Sequence, residues 1–150
     1  MSEDLPSAVL FACGQNCIRS PMAEALMKHF YGHLVHVQSC GVKTVEGDND
    51  MFVQAVMDEM GIDLSSFHSR SFEELEDTNF DLVITMSPRA HHKAMEMTRT
   101  MAIDVEYWPT LDPSMVVGSR EQIMDSYRTT RDAITTKLKE RFGILAARGV

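Results

Sequence analysis

Short, continuous apolar runs alternate along this chain with stretches in which apolar residues recur every three or four positions. The first run, Ala8 to Cys13, carries no charge and is bounded by a glycine-containing loop, so it reads as a strand buried on both faces. Met22, Ala25, Leu26 and Phe30 then follow at helical spacing. Pro21 stands where a first-turn proline is tolerated, and Gly32 is a stop. Leu34 to Cys40 reads as a second strand with Val35 and Val37 on one side, ended by Gly41. A polar loop, Lys43 to Asp50, leads to Val53, Val56, Met57 and Met60, an amphipathic helix stopped by Gly61. Asp63 to Ser71 is irregular, and Ser71-Phe72-Glu73-Glu74 has the form of a capping box opening a short helix. Phe80 to Met86 is a third strand, and Ser87-Pro88 opens a helix running to about Met97. Met101 to Trp108 is a fourth strand, polar enough for a sheet edge. Pro109 to Gly118 is a loop holding Asp112-Pro113. The last helix sets Ile123, Tyr127, Ile134, Leu138 and Phe142 on one face, with Gly143 at its end.

Strands that alternate with helices imply an α/β fold: a four-stranded parallel sheet with helices on both faces. A length of 150 residues suits one domain spanning 1–150. Ligands of such sheets sit beyond the carboxyl ends of the strands. Cys13, Ser39, Ser87 and the loop bearing Asp112 all belong to those ends. The twelve methionines read as core filler.

Composition narrows the function. The formal net charge is −8, and half of the 22 acidic residues fall between Glu46 and Asp81, where Arg70 is the sole Lys or Arg. That balance argues against nucleic acid as a partner. The acidic stretch reads as a solvated face or, more sharply, as a rim selecting basic peptides. No apolar run is long enough to span a bilayer, and Met1-Ser2-Glu3-Asp4 lacks a basic n-region, so a cytoplasmic protein without membrane contact is expected. Cys13, Cys17 and Cys40 are odd in number and make no disulfide framework.

The chemistry concentrates in Cys13-Gly14-Gln15-Asn16-Cys17-Ile18-Arg19-Ser20-Pro21. A cysteine at a strand's carboxyl end, a small polar loop and a helix start aim backbone N–H groups and a helix N-terminus at one point, an oxyanion site after the first strand. The same field lowers a thiol's pKa and makes Cys13 a nucleophilic thiolate. Residues 14 to 19 would cradle phosphate, with Gly14 and Asn16 tolerating left-handed backbone angles. The planar fork of Arg19 can hold two phosphoryl oxygens at once. Ser20 is placed to hydrogen-bond the sulfur. The loop lacks an acid for the leaving group, and Asp112, fixed in direction by Pro113, is the best candidate. The expected partners are a phosphorylated protein or small aryl phosphate, and inorganic phosphate or sulfate in the loop.

The segment from Val9 through Cys13, Asn16, Arg19-Ser20-Pro21 to Glu24 resembles the signature of the low-molecular-weight protein-tyrosine phosphatases. The likeness continues through Val37 to Gly41, Gly61 to Ser65, Phe80 to Met86 and Asp112-Pro113. It implies nucleophile Cys13, phosphate-binding Arg19, general acid Asp112, no metal and no cofactor. It further implies that Ser20 and Ser39 brace the loop, Ser39 through Asn16. The chain departs from the pattern in places. Ile18 stands where the family has a second cysteine, with Cys17 one residue earlier, so a protective Cys13–Cys17 disulfide is an open question. Ser114 and Met115 replace an aromatic after Asp-Pro, and Phe67 takes the place of a histidine, with His68 beside it as a possible loop support.

Blander readings attach to the rest. Cys40 reads as a buried structural residue, and His29, His33 and His36 as surface. His91 and His92 are adjacent and point apart, so they are no metal pair; one of Tyr107 and Trp108 packs in the core. The leading function is phosphomonoester hydrolysis through a phosphocysteine. Arsenate reduction is the alternative, because related reductases share the fold and loop. Those enzymes use a later cysteine pair, and no cysteine follows Cys40 here. A phosphoprotein-binding module without catalysis is a third reading.

Overall fold

The computed structural model describes residues 5–15, 18–44, 50–76 and 79–143. Four parallel strands, β1 (Ala8–Cys13), β2 (His36–Gly41), β3 (Leu82–Thr85) and β4 (Asp104–Tyr107), form one sheet in the order β2-β1-β3-β4. The helices are α1 (Arg19–Tyr31), α2 (Met51–Asp58), α3 (Pro88–Met97) and α4 (Arg120–Phe142), with 3-10 turns at Phe72–Glu74 and Pro113–Met115. Among the described residues no helix is long and apolar enough to cross a membrane.

β1 is buried at every position because the sheet separates two apolar clusters and β1 feeds both. Val9, Phe11 and Cys13 face the larger cluster with α1, α2 and α4; Ala8, Leu10 and Ala12 face the smaller one with Ala90 and Ala94 of α3. β4 is partly exposed along its length, as its polar sequence requires of an edge.

Where the elements depart from the pattern, the cause is local. β2 begins at His36, because Leu34 lies in the turn after α1 and is 53% exposed. α1 begins at Arg19 and keeps Pro21 in its first turn, as expected. On α4 the buried stripe runs through Met124 instead of Ile123, which is half-buried against the core. Trp108 is the packed member of its pair, edge-on to Phe11 at 6.1 Å; Tyr107 is 40% exposed and stacks on His91 at 4.8 Å.

The acidic stretch is largely engaged within the molecule. Asp50 caps α2 and accepts from the Tyr127 hydroxyl at 3.1 Å. Glu59 binds Arg128 and Arg131 of α4, and Glu73 pairs with Lys93 at 3.1 Å. Glu74 closes the capping box with Ser71, and Asp81 accepts from the N–H groups of Ser7 and Ala8. Glu46 and Asp48 lie outside the described residues.

Candidate functional site

The carboxyl end of β1 delivers Cys13 into a buried position, 2% exposed, directly against the start of α1. Its Sγ lies 3.0 Å from the Ser20 Oγ, and that hydroxyl also donates to the Cys40 carbonyl at 3.3 Å. Ser20 is therefore clamped between the ends of β1 and β2. The cap position of α1 is Ile18, whose side chain has no oxygen to accept from the first-turn N–H groups, and no acidic residue lies in that turn. The positive end of the helix is left without a side-chain cap, next to the thiol. Gln15 is at the surface, while Asn16 and Cys17 lie outside the described residues, and with them the Ser39–Asn16 brace and the Cys13–Cys17 pairing.

Gly14 corrects one expectation, since its φ is not positive. The β1–β2 ladder continues past the strand: Val42 N–H donates to the Cys13 carbonyl at 3.2 Å and Lys43 N–H to the Gly14 carbonyl at 2.9 Å. That pairing holds the backbone at Gly14. A Cβ built there would meet nothing within 4 Å, so the loop has open space above it.

Arg19 reaches across the strand ends. One guanidinium nitrogen donates to the Thr110 carbonyl at 2.9 Å, with a longer contact to the Met86 carbonyl at 3.4 Å. It thus ties the start of α1 to the ends of β3 and of the segment after β4, two residues before Asp112. Asp112 is half-buried. Its Oδ1 accepts from the Ser114 N–H at 2.9 Å and the Ser114 hydroxyl at 2.7 Å, which caps the 3-10 turn at Pro113–Met115. The carboxyl is thus anchored through one oxygen. Around it Leu111 and Met115 are 90% and 76% exposed, in place of aromatic walls.

Glu24 is the residue the sequence did not single out. A charged side chain on an amphipathic helix reads as solvent-facing, yet this one is only 5% exposed. Its two oxygens accept from the Ser39 Oγ and from the Lys28 Nζ, each at 2.5 Å. Ser39, buried on β2, is held from the α1 side by this carboxylate. The signal available was the pair Glu24 and Lys28 at i, i+4 beside a strand-end serine. Cys40 is fully buried; desolvation pushes its thiol well above the usual range, and the nearby Cys13 adds in the same direction. His68 is exposed on the loop before Arg70 and makes no brace to the phosphate loop among the described residues. Ser87 caps α3 by accepting from Ala90 N–H. His91 holds Thr85 at 2.9 Å while His92 faces Glu96, so the two point apart. Among the described residues no three His, Cys, Asp or Glu side chains converge as metal ligands.

Residues 8–148 match the family model for low molecular weight phosphotyrosine protein phosphatase. The chain belongs to that family. Arsenate reductase from Bacillus subtilis (strain 168) is 34% identical to this low molecular weight phosphatase family member over 132 residues, covering 88% of this chain and 92% of the relative. The low molecular weight protein-tyrosine-phosphatase Wzb of Salmonella typhi is 29% identical, covering 83% and 80%. A YwlE mutant from Bacillus subtilis superposes with a TM-score of 0.71 at 29% identity, covering 93% of this chain and 95% of that one. A second YwlE structure, described as an arginine phosphatase mutant with a phosphorylated active site serine, gives 0.71 at 28% identity, covering 93% of each chain. The family's names thus span two chemistries, phosphoryl hydrolysis and arsenate reduction.

Proposed function

We propose that this protein hydrolyses phosphomonoesters, phosphotyrosine or other aryl phosphates, through a phosphocysteine at Cys13. The supporting observation is the Cys13 Sγ–Ser20 Oγ contact of 3.0 Å at the uncapped start of α1. A hydroxyl donor and a helix N-terminus both present partial positive charge to the sulfur that attacks and later leaves. In the first step the Cys13 sulfur attacks phosphorus while Asp112 donates a proton to the departing oxygen. In the second, Asp112 takes a proton from water, the oxygen adds to phosphorus, and the thiolate leaves, stabilised by Ser20. Arg19 and the loop 14–19 hold the equatorial oxygens throughout. Ser39 acts indirectly, as a brace.

Arsenate reduction is the second reading, favoured by the name of the Bacillus subtilis relative. It would need a route for the oxidising equivalent to further thiols. In these 150 residues no cysteine follows Cys40, and Cys40 is buried with its thiol held protonated. Hydrolysis needs no such route. Profiling turnover of 4-nitrophenyl phosphate, phosphotyrosine, phosphoserine and phosphoarginine beside thioredoxin-coupled arsenate reduction tests the choice. Phosphoester turnover without arsenate reduction supports hydrolysis; the reverse overturns it.

A further inference from the structure

A cavity of about 800 Å³ lies between the segment 108–116 and α4. Its near wall is the stretch that carries the candidate acid: Trp108, Thr110, Leu111, Asp112 and Met115. Its far wall is α4, with Thr130, Ala133 and Ile134. Two hydrogen bonds hold the near wall in place. Arg19 donates to the Thr110 carbonyl at 2.9 Å, and the Ser126 Oγ of α4 donates to the Pro113 carbonyl at 3.2 Å. Thr110 is thus both a wall of the cavity and a direct contact of the Arg19 guanidinium, and Asp112 lines the same space.

Exposed apolar side chains gather at its mouth. Leu111, Met115 and Val116 line the cavity and stay exposed, and Val117 beside them is 94% exposed. Among the described residues, four of the nine large apolar side chains left in water therefore fall within seven consecutive positions around Asp112. Single apolar residues scattered over a surface are ordinary, whereas a cluster at a cavity marks a place of contact. Charge does not set the preference of this space. Among the described residues it is lined by one group of each sign: Asp112, bonded to Ser114, and Lys137, whose Nζ lies over the Trp108 ring at 5.8 Å.

The chemistry says what arrives there. A leaving oxygen has to come within hydrogen-bond reach of the Asp112 carboxyl to be protonated. Whatever that oxygen is attached to is carried to the edge of the cavity. An extended peptide advances about 3.3 Å per residue, so the nearest neighbours of the phosphorylated residue can set a side chain over the mouth. We propose that the cavity receives a bulky apolar side chain one or two residues from the phosphorylated residue of a protein substrate. The inference rests on the hydrolase reading above and assigns its sequence preference. Removal of that side chain from water against Trp108, Leu111 and Ile134 supplies the affinity.

The test compares phosphotyrosyl peptides that carry Phe, Leu, Ser or Glu at the neighbouring positions. The Phe and Leu peptides should exceed the Ser peptide in kcat/KM by about tenfold, with the difference in KM. That gain should survive about 0.5 M salt. Ala133→Glu puts a carboxylate in the far wall, four positions before Lys137, a spacing that supports the helix. It should bring the Phe-to-Ser ratio to about one. Ala133→Trp, which fills the space without charge, should do the same, and a thermal melt confirms that both variants fold. Equal kcat/KM for Phe and Ser, preference for Glu, a gain lost in salt, or a ratio untouched by both variants overturns the proposal. A dimer in size-exclusion chromatography that Leu111→Ser dissolves also overturns it, because a second copy then covers the mouth. Absence of 4-nitrophenyl phosphate turnover instead overturns the hydrolase reading. The cavity is then judged by the emission of Trp108, the one tryptophan of the chain, titrated with the unphosphorylated Phe peptide. A saturable change lost in Ala133→Glu supports the apolar preference, and no change overturns it.

Discussion

The carboxyl ends of the strands and the α2–α4 face both consist of polar groups held by close contacts, yet they are built oppositely. At the strand ends the contacts among the described residues are buried or half-buried: Cys13 with Ser20, Ser20 with the Cys40 carbonyl, Ser39 with Glu24, Arg19 with the Thr110 carbonyl. On the α2–α4 face they are many and wet. Arg128 alone reaches Glu59, Glu121 and Asp125, and Arg131 reaches Glu59 and Asp132. Ion pairs in water contribute little individually and tolerate the loss of a member. Buried polar contacts are few because each group must be matched, and the removal of one leaves its partner stranded. The first region therefore concentrates consequence in single atoms, and the second distributes it.

Substitutions sharpen this contrast in descending order. Cys13→Ser should abolish aryl phosphate turnover, by about a thousandfold or more, since the attacking atom is lost. Binding of phosphate by isothermal titration should change by only a few-fold; retained turnover would break the mechanism. Arg19→Lys should lower kcat/KM by about a hundredfold, because a point charge replaces a fork that also ties down the Thr110 segment. A loss under about threefold would show that the tie does not matter. Asp112→Asn should slow poor leaving groups by roughly tenfold to a hundredfold and activated aryl phosphates much less; equal slowing of both argues against its acid role. Glu24→Gln should destabilise the fold by about 1–3 kcal/mol in urea unfolding, as a buried hydrogen-bonded charge is removed from Lys28 and Ser39. A neutral result would place Glu24 with the surface network.

Glu59→Gln supplies the smallest effect and a pH test of the second region. Hydrogen bonds from Arg128 and then Arg131 hold the Glu59 carboxyl below the usual carboxylate range. A depressed folded-state pKa gives stability that is present above the unfolded value, near pH 4.5, and fades as the pH falls through the lower folded one. Glu59 is partly exposed, so salt and water reduce the gain. Glu59→Gln should shift the melting temperature by no more than about 2–4 °C at neutral pH. The two proteins should converge in acid, whereas a gap that widens there would contradict the network.

How far sequence could read each region follows the same division. β1 was legible to its boundaries because a strand buried on both faces needs an unbroken apolar run. The Ser87-Pro88 start of α3 and the Ser71–Glu74 capping box were legible because caps are local. Leu34 misled because an apolar residue in a turn carries no mark of its exposure. Arg19 and Thr110 stand 91 positions apart, and no spacing rule joins them. Glu24 was missed because its partner Ser39 becomes visible only after β2 is laid beside β1. Candidate chemistry was readable where the groups were neighbours in the chain; the supports brought in by folding were not.

The hydroxyl of Ser20 has a single hydrogen, and among the described contacts both the sulfur of Cys13 and the carbonyl of Cys40 can claim it. While Cys13 is a thiol it can supply its own hydrogen, and the hydrogen of Ser20 can serve the carbonyl. Once Cys13 ionises, the hydrogen must turn to the sulfur and the carbonyl loses it. The main chain of one strand thereby becomes an indicator of the charge on its neighbour. The carbonyl carbon of Cys40, labelled with ¹³C, would register by its chemical shift each passage of Cys13 between thiol and thiolate.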